Sequence, residues 1–343
     1  MQALYAHGPK DLRLGTAPDD QPGPGQVRIE MARGGICGSD LHYFNHGGFG
    51  TVKLREPMIL GHEVSGHVTD VGAGVADLNI GDLVAVSPSR PCTTCEECLL
   101  GLPNQCLNMR FYGSAMPFPH IQGAFREHLI ANATQCVKAD GLTPAEAAMA
   151  EPLAVCLHAM AQAGTVLGKR VLVTGCGPIG VLVILAARRA GAAEIIATDI
   201  TDTALVRAKA AGADVTLNSM TEPDALAPYS AAKGSIDIGL ECSGAEPALR
   251  AMVGALRPRA TLVQLGLSGD MTLPMMQITA KEICIKGSFR FHAEFAQAVA
   301  FMQKGLIDVA PLVTHSFPLS RFQEAFDTAN DRAKAMKVQL EFT

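Results

Sequence analysis

A cluster of four cysteines constrains this chain more than any other segment. Cys92, Cys95 and Cys98 follow one another at every third position, and seven residues separate Cys98 from Cys106. Thiolates at this spacing can surround one Zn²⁺ ion tetrahedrally, at about 2.3 Å per Zn–S bond. Cysteines so close together are poorly placed for disulfides, the alternative for such a cluster. The spacing predicts a closed structural zinc site with no coordination position left for a substrate.

A second group of possible metal ligands precedes this cluster. Cys37 lies in the segment Gly35-Ile-Cys-Gly-Ser-Asp40, and His62 and Glu63 are adjacent. A catalytic zinc needs three protein ligands and one exchangeable position. Cys37 and His62 are natural ligands, and the third is either Glu63 or Glu151. Each residue alone could be a loop cysteine, a core histidine or a capping glutamate. Together with the four-cysteine cluster, they predict an open zinc site.

The size and charge of the chain narrow its class. It has 343 residues, which is long for one core and sufficient for two domains. Its net charge is −5, and no basic segment with interleaved aromatic residues is present, so a nucleic-acid partner is not expected. Outside the cluster the cysteines are scattered singly through apolar runs, as buried free thiols are. Free cysteines in this number suit a reducing compartment, so the sequence predicts a cytoplasmic protein.

No segment predicts membrane insertion. The first ten residues contain no apolar run of the kind that a signal peptide requires. The longest apolar stretch, residues 171–187, is interrupted by three glycines and a proline. It is therefore interpreted as a strand, a turn and a helix, and we expect no membrane partner.

The first 147 residues are rich in glycine, proline and short alternating segments. Val27–Met31 and Val64–Val71 alternate as strands do. No strong helical period occurs before Pro144. This part predicts an irregular β domain with long loops.

Strands and helices alternate over residues 148–288. The predicted strands are Arg170–Thr174, Glu194–Thr198, Ile236–Glu241 and Thr261–Leu265. The predicted helices are Pro178–Arg189, Thr203–Ala211 and Pro247–Leu256. This alternation predicts an α/β domain with a doubly wound parallel sheet. Residues 289–343 contain a helix, Ala293–Lys304, and two strands, Leu312–Phe317 and Lys337–Phe342, without a βαβ partner. We expect them to return to the first domain.

A glycine-rich turn follows the first of these strands. It contains the residues Gly175, Gly177, Pro178, Ile179 and Gly180, and Asp199 ends the next strand. A G-x-G-x-x-G pattern between a strand and a helix brings a pyrophosphate to the helix N-terminus, where unpaired N–H groups favour anions. Asp199 can accept hydrogen bonds from the adenosine ribose, and its charge would repel a 2′-phosphate. The turn predicts NAD in preference to NADP. A structural glycine turn is the alternative.

These motifs together resemble those of the zinc-dependent medium-chain dehydrogenases, and the resemblance covers essentially the whole chain. Besides the cysteine cluster and the glycine turn, it is carried by Cys37-Gly-Ser-Asp, Gly61-His-Glu and Glu151-Pro-Leu. Within that family the chain resembles the sorbitol dehydrogenases, which carry glutamate at position 151 where alcohol dehydrogenases carry a zinc-ligating cysteine. Sorbitol dehydrogenases often lack the full structural cysteine set, which this chain retains.

The resemblance implies both a fold and a chemistry. It implies a GroES-like catalytic domain, residues 1–147 completed by 289–343, and a Rossmann coenzyme domain, residues 148–288. A bound zinc would activate a substrate hydroxyl and NAD would accept hydride. Ser39 and His42 match a proton relay to solvent, although His42 could be an ordinary surface histidine. Glu63 and Glu151 could alternate between contacting the metal and lying behind the ligands. The family is usually dimeric or tetrameric, and a tetramer is favoured.

The resemblance also suggests a substrate class. The segments Arg110–Met116, Phe118-Pro-His120 and Gly287–Phe291 resemble a branch of the family that oxidises a sugar acid. A carboxylate requires a cation, and Arg110 and Arg290 are the candidates, with Arg110 preferred. For Arg290 the alternative is a contact with the coenzyme or a link between domains. Tyr43 is expected to line the substrate pocket, or else to form an aromatic wall.

Two further classes of protein remain as alternatives. Zinc-free quinone or enoyl reductases share the fold, but they should lack both sets of metal ligands. A metal- or redox-sensing nucleotide-binding protein would have no need of Ser39 and His42. The sequence therefore favours an enzyme that acts on a small sugar acid or a polyol.

Overall fold

The computed structural model describes residues 1–267 and 269–342. They form two compact units, Met1–Glu151 with residues 295–342, and Pro152–Glu294. No helix among the described residues is long and apolar enough to cross a membrane. The functional domain boundaries after residues 147 and 288 remain a prediction.

Short strands dominate the first half of the chain, and strands alternate with helices in much of the second half. The strands are β1 Gln2–Gly8, β2 Asp11–Thr16, β3 Gln26–Gly35, β4 Gly48–Phe49, β5 Val52–Lys53, β6 Met58–Ile59, β7 Glu63–Val71, β8 Leu83–Val86, β9 Ser89–Arg90, β10 Arg110–Phe111, β11 His128–Asn132, β12 Cys136–Lys138, β13 Arg170–Thr174, β14 Glu194–Asp199, β15 Val215–Asn218, β16 Ile236–Glu241, β17 Leu256–Gln264, β18 Cys284–Gly287, β19 Val313–Pro318 and β20 Lys337–Glu341. The α-helices are α1 Gly38–His46, α2 Glu96–Leu99, α3 Pro144–Ala147, α4 Ala150–Ala163, α5 Pro178–Arg189, α6 Asp202–Ala210, α7 Ala227–Ser230, α8 Glu246–Ala255, α9 Met275–Ala280, α10 Glu294–Gln303 and α11 Phe322–Asn330. Short 3₁₀ turns cover Pro103–Gln105, Ala133–Gln135, Ala231–Lys233, Ala310–Leu312 and Leu319–Arg321.

The first unit is organised around a mixed sheet in the order β12-β8-β7-β3-β20-β19, with β11 also paired to β3. In β3, Val27, Ile29 and Met31 alternate with polar residues and are fully buried, because successive side chains of a strand face opposite sides. Near the C-terminus, β20 pairs antiparallel with β3, and β19 pairs parallel with β20. The last two strands therefore complete the sheet that begins near the N-terminus.

One element of this unit corrects the sequence analysis. The sequence showed no strong helical period before Pro144, yet the nine-residue helix α1 spans Gly38–His46. Among its residues only Asp40, Tyr43 and Phe44 are buried, so the apolar period is too weak to identify it. Its ends are nevertheless marked. The Asp40 carboxylate accepts a hydrogen bond from the Cys37 N–H at its start, and Gly47 ends it with a φ of 67°.

The second unit has the predicted doubly wound parallel sheet. Its strands lie in the order β15-β14-β13-β16-β17-β18, and every neighbouring pair is parallel. The chain places β14 on one side of β13 and β16 on the other, so the strand order reverses at β13. Sheets of this kind bind dinucleotides at such a reversal. The α/β prediction for this unit is confirmed. Strand β17 begins five residues earlier than predicted, at Leu256, because Leu256 already pairs with Ile236.

Candidate active site

Cys37, His62 and Glu63 come together through the pairing of β3 with β7. Gly35, the last residue of β3, lies opposite Glu63, the first residue of β7. Their ligand atoms, a thiol, an imidazole nitrogen and a carboxylate oxygen, all lie within 4.8 Å of one another. A Cβ at Gly35 would lie 2.2 Å from a carboxylate oxygen of Glu63, so a larger residue there would displace the Glu63 side chain. Sheet register thus assembles a three-ligand group.

This group suits a zinc ion by its chemistry. The buried Nδ1 atom of His62 has no hydrogen-bond partner among the described residues. Burial and the charge of Glu63 raise the pKa of Cys37 to about 12, so without a cation the thiol stays protonated. A metal ion would reverse this, because coordination deprotonates a thiol outright. Three ligands of mixed type with one position left open are characteristic of a catalytic zinc.

Asp40 orients the group from behind, a role that the sequence analysis missed. Its fully buried carboxylate accepts hydrogen bonds from the N–H groups of Cys37 at 3.0 Å and Gly61 at 3.2 Å. One of its oxygens also lies 3.8 Å from Nδ1 of His62. It therefore fixes the backbone at Cys37 and next to His62, and it faces the imidazole ring. Carboxylates behind metal-bound histidines commonly act in this way. The signal was its position three residues after Cys37, which matches a capping box.

Lys337 is a second residue that the sequence analysis missed. Its ammonium group lies 2.7 and 2.8 Å from the two carboxylate oxygens of Glu63, and the side chains are 4% and 1% exposed. A buried carboxylate without such a partner would be costly to keep ionised. Lys337 therefore supplies a counter-charge to the buried Glu63 carboxylate. A lysine at the start of an otherwise apolar final strand was the available signal.

Glu151 lies close to the same group without belonging to it. It is 6% exposed at the start of α4, and its carboxylate does not lie within 4.8 Å of all three ligand atoms. Burial raises the pKa of Glu151 to about 8. The charge of His62 opposes this rise, and the charge of Glu63 adds to it. Geometry thus favours Glu63 as the third ligand and places Glu151 nearby. Its role as a ligand remains a prediction.

Ser39 and His42 are three residues apart on α1, a spacing that puts them on one face of the helix. Both are half-buried. Burial lowers the pKa of His42, and the neighbouring charges of His46 and Arg332 lower it further. The imidazole is therefore neutral near pH 7 and able to accept a proton. The relay itself remains a prediction.

The predicted substrate residues differ in their surroundings. Tyr43 is 2% exposed, and its hydroxyl accepts a hydrogen bond from the Ala115 N–H at 3.0 Å. Such burial favours the alternative role, an aromatic wall. Arg290 has a φ of 57° and stacks over Phe289 at 4.8 Å. Both substrate assignments remain predictions.

Arg110 faces away from the metal group. It is exposed, whereas the next residue in β10, Phe111, is buried with its ring centroid 5.5 Å from that of His62. Because adjacent residues of a strand point to opposite faces, the Phe111 contact directs Arg110 away from His62. Its assignment as the carboxylate partner remains a prediction that no described contact supports.

The four-cysteine cluster also converges. The sulfur atoms of Cys92, Cys95, Cys98 and Cys106 all lie within 4.8 Å of one another, and all four are free thiols. Backbone N–H groups point at the sulfurs: Cys106 Sγ accepts from Cys92 at 3.2 Å, and Cys92 Sγ accepts from Cys95 at 3.4 Å. Donors led by the N–H of Thr94 lower the pKa of Cys92 to about 5. The arrangement fits a closed tetrathiolate zinc shell.

The glycine turn of the second unit has the form expected of a dinucleotide site. Gly175 has a φ of 83°, and a Cβ there would lie 2.7 Å from the Ser243 backbone. A Cβ at Gly180 would lie 1.8 Å from the Gly175 oxygen, whereas at Gly177 it would meet open space. The first and third glycines thus permit close packing, and the second leaves room for a ligand at the start of α5. Pro178 opens that helix, as is common at its first position.

Asp199 is oriented by this turn. One carboxylate oxygen accepts a hydrogen bond from the Cys176 N–H at 2.7 Å, and the other accepts from the Thr201 N–H and hydroxyl at 3.0 and 2.9 Å. The carboxylate is half-buried and retains acceptor capacity for a ribose hydroxyl. Glu241, which the sequence analysis did not single out, is fully buried and accepts from the N–H groups of Ser243 at 2.9 Å and Gly244 at 3.0 Å. It stabilises the loop that contacts Gly175.

Two family matches account for both units. Residues 23–141 match the alcohol dehydrogenase GroES-like domain, and residues 178–304 match the zinc-binding dehydrogenase domain. With the zinc-ligand groups and the dinucleotide turn, these matches define a zinc-dependent alcohol or polyol dehydrogenase that uses a nicotinamide coenzyme. The chain belongs to the zinc-dependent medium-chain dehydrogenase family, in its sorbitol dehydrogenase-like branch. The predicted GroES-like and Rossmann folds, the enzyme class and the two cofactors are confirmed.

Particular relatives are similar over nearly the whole chain. L-idonate 5-dehydrogenase (NAD(P)(+)) of Escherichia coli (strain K12) is 42% identical over 320 residues, which cover 92% of this chain and 91% of the relative. Its crystal structure superimposes with a TM-score of 0.95 and 39% identity, over 99% of this chain and 97% of that one. Sorbitol dehydrogenase of Bos taurus is 39% identical over 98% of this chain and 95% of the relative. The predicted resemblance to the sorbitol dehydrogenase branch is confirmed.

Proposed function

We propose that this enzyme oxidises L-idonate at C5 to 5-keto-D-gluconate, with NAD as the acceptor. The buried open group of Cys37, His62 and Glu63 carries the proposal of alcohol oxidation. The choice of substrate is supported by 42% identity to a relative named for L-idonate. A polyol such as sorbitol or xylitol is the second candidate, favoured by the sorbitol dehydrogenase relatives at 39% identity over 98% of the chain.

Each residue of the group has a proposed task. Zinc, when bound, supplies Lewis acidity toward the substrate hydroxyl, and the dinucleotide supplies a hydride acceptor. Cys37, His62 and Glu63 hold the metal, and Asp40 orients the loops that carry them. Lys337 forms a buried ion pair with Glu63. The substrate proton is received near Ser39 Oγ and passed to the neutral imidazole of His42, which releases it to solvent.

A comparison of substrates tests this function. The zinc-loaded enzyme should oxidise L-idonate with a kcat/KM at least about tenfold above that for sorbitol or xylitol, followed at the NADH absorbance band. The physical reason is that a site with a charged partner for the carboxylate discriminates against a substrate lacking it. A higher kcat/KM for sorbitol would instead place the enzyme with the polyol dehydrogenases.

NAD should be preferred over NADP because the charge of Asp199 opposes a 2′-phosphate. Asp199→Asn removes the charge and keeps one oxygen acceptor for the Cys176 N–H, while its amide nitrogen replaces the oxygen that accepts from Thr201. We expect this variant to have a lower KM for NADP and a higher KM for NAD. The ratio of the KM for NADP to the KM for NAD should fall by about tenfold. Asp224→Asn, at an exposed position of the same unit, is the matched control. Wild-type enzyme that used NADP as well as NAD would contradict the role of Asp199.

We also propose a homo-oligomer, a tetramer or a dimer, in the cytoplasm. The edge strand β18 is exposed along its length, and Met275 and Met276 nearby are 57% and 86% exposed. An exposed edge with apolar neighbours is commonly covered by another chain. The free thiols support a reducing compartment. A monomer mass by light scattering at micromolar concentration would contradict the oligomer.

A further inference from the structure

A cavity of about 370 Å³ lies in the first unit and carries positive charge. It is lined by Thr51, Val52, Lys53, Arg55, Ala115 and Met116. Within the part of the chain that the structure describes, neither Lys53 nor Arg55 forms an ion pair with a carboxylate. Both side chains are exposed, and the nearby Glu56 carboxylate accepts from the His120 N–H at 2.8 Å, so the positive potential that attracts an anion is local to the two cationic groups.

Arg55 is held in place at this cavity. Its guanidinium group lies 4.3 Å above the ring centroid of Phe118, and its backbone N–H donates to His120 Nε2 at 2.9 Å. Stacking on an aromatic face leaves the edge N–H donors of a guanidinium free for an anion. Because the side chain is already positioned, binding would cost little conformational entropy.

The cavity walls contact residues predicted to serve the substrate. In the β4–β5 hairpin, Phe49 pairs with Val52 and Gly48 with Lys53. The Phe49 ring lies 5.6 Å from Tyr43 and 5.8 Å from His42. From the opposite wall, Ala115 donates its N–H to the Tyr43 hydroxyl at 3.0 Å. Helix α1 therefore connects the metal group at its start to this cavity beside its last turns.

An extended aldonate is shorter than the rise of α1 from the metal group toward the cavity. Tyr43 follows Cys37 by six residues, which is about 9 Å along a helix. The carboxyl carbon of an aldonate is four C–C bonds from C5, about 5 Å when extended. The long side chains of Lys53 and Arg55, both exposed in this structure, would have to turn toward the substrate to span the remaining distance.

We propose that Lys53 and Arg55 form the subsite for the substrate carboxylate, in place of Arg110. The inference rests on the proposed function and specifies which residues give it preference for a sugar acid over a polyol. Sorbitol, which lacks the carboxylate, would gain nothing from the two cations. The subsite is thus a specificity determinant of the same site.

Binding and kinetics together test this subsite. Arg55→Ala and the double variant Lys53→Ala/Arg55→Ala should raise the Kd for L-idonate by about tenfold and about a hundredfold, measured by calorimetric titration of the zinc-loaded protein without NAD. The KM for L-idonate should rise in parallel, with the kcat/KM for sorbitol within about twofold of wild type. Arg55→Lys should restore part of the affinity. Lys304→Ala, at an exposed position of the same unit, is the control.

Other outcomes would overturn the proposal. Equal losses of kcat/KM on L-idonate and sorbitol in Arg55→Ala would show that Arg55 has a structural role. An unchanged Kd for L-idonate in the double variant would exclude the cavity as the carboxylate subsite. If only Arg110→Ala lost affinity for L-idonate and kept its activity on sorbitol, the carboxylate would be assigned to Arg110. If wild-type protein binds L-idonate but does not oxidise it, the proposed function fails while the titration still decides the subsite.

Discussion

Cys37→Ser and His62→Ala should each lower kcat/KM by about a thousandfold or more, because a catalytic zinc supplies several kcal/mol of transition-state stabilisation. Each variant should also lose one of about two zinc ions per chain, since an open site depends on each of its three protein ligands. Metal content by mass spectrometry and turnover at the NADH band measure the two effects. Cys284→Ser, which changes an exposed thiol outside both ligand groups, should retain metal and activity.

Metal removal tests the same site independently. Dialysis against a chelator should abolish turnover before the protein unfolds, because an open site releases its ion more readily than a closed tetrathiolate shell. When zinc is added back, the wild-type enzyme should regain activity and the Cys37→Ser variant should not. Full turnover by a preparation free of metal would refute the assignment of Cys37 and His62.

Lys337→Met should produce the largest loss of stability among changes outside the metal ligands. It leaves the carboxylate of Glu63, 1% exposed, without its ion-pair partner. Breaking a buried pair in this way costs about 3–5 kcal/mol in the free energy of unfolding. Urea denaturation of the protein after a chelator has removed the open-site zinc, followed by circular dichroism, measures the change, because a bound zinc would itself offset the charge of Glu63.

Lys334→Met is the matched control for Lys337→Met. Lys334 pairs with Asp331 at 3.1 Å, but its side chain is 73% exposed. Exposed pairs contribute at most about 1 kcal/mol. Similar stabilities for the two variants would show that Glu63 does not depend on Lys337, and the account of Lys337 as its buried counter-charge would then be wrong.

Features encoded within short segments could be predicted from the sequence. The cysteine cluster spans fifteen residues, and its convergence follows from local turns such as the one at Thr93, which has a φ of 61°. The glycine turn likewise lies between adjacent elements, β13 and α5. The alternation of apolar strands and helices in the second unit predicted its parallel sheet, because the central strands β13, β14 and β16 are nearly continuous apolar runs and largely buried.

Features that depend on distant pairing could not be predicted. Lys337 meets Glu63 only because β20 and β7 flank β3, and no local pattern indicates that order. Asp40 stood within a recognised motif, yet its contact with Gly61 joins segments twenty-one residues apart. The choice between Glu63 and Glu151 depended on the register of β3 with β7. Helix α1 was missed because its buried residues are few, although its caps could have been recognised.

The carbon at which the substrate is oxidised tests the central claim most directly. L-Idonate labelled with ¹³C should be incubated with the zinc-loaded enzyme and NAD, and the product examined by NMR with NADH measured in parallel. A metal group that acts on C5 while two cations hold the carboxylate predicts one product, 5-keto-D-gluconate, formed in equal amount to NADH. A ketone at C2, or no NADH from L-idonate under conditions where sorbitol is oxidised, would contradict it.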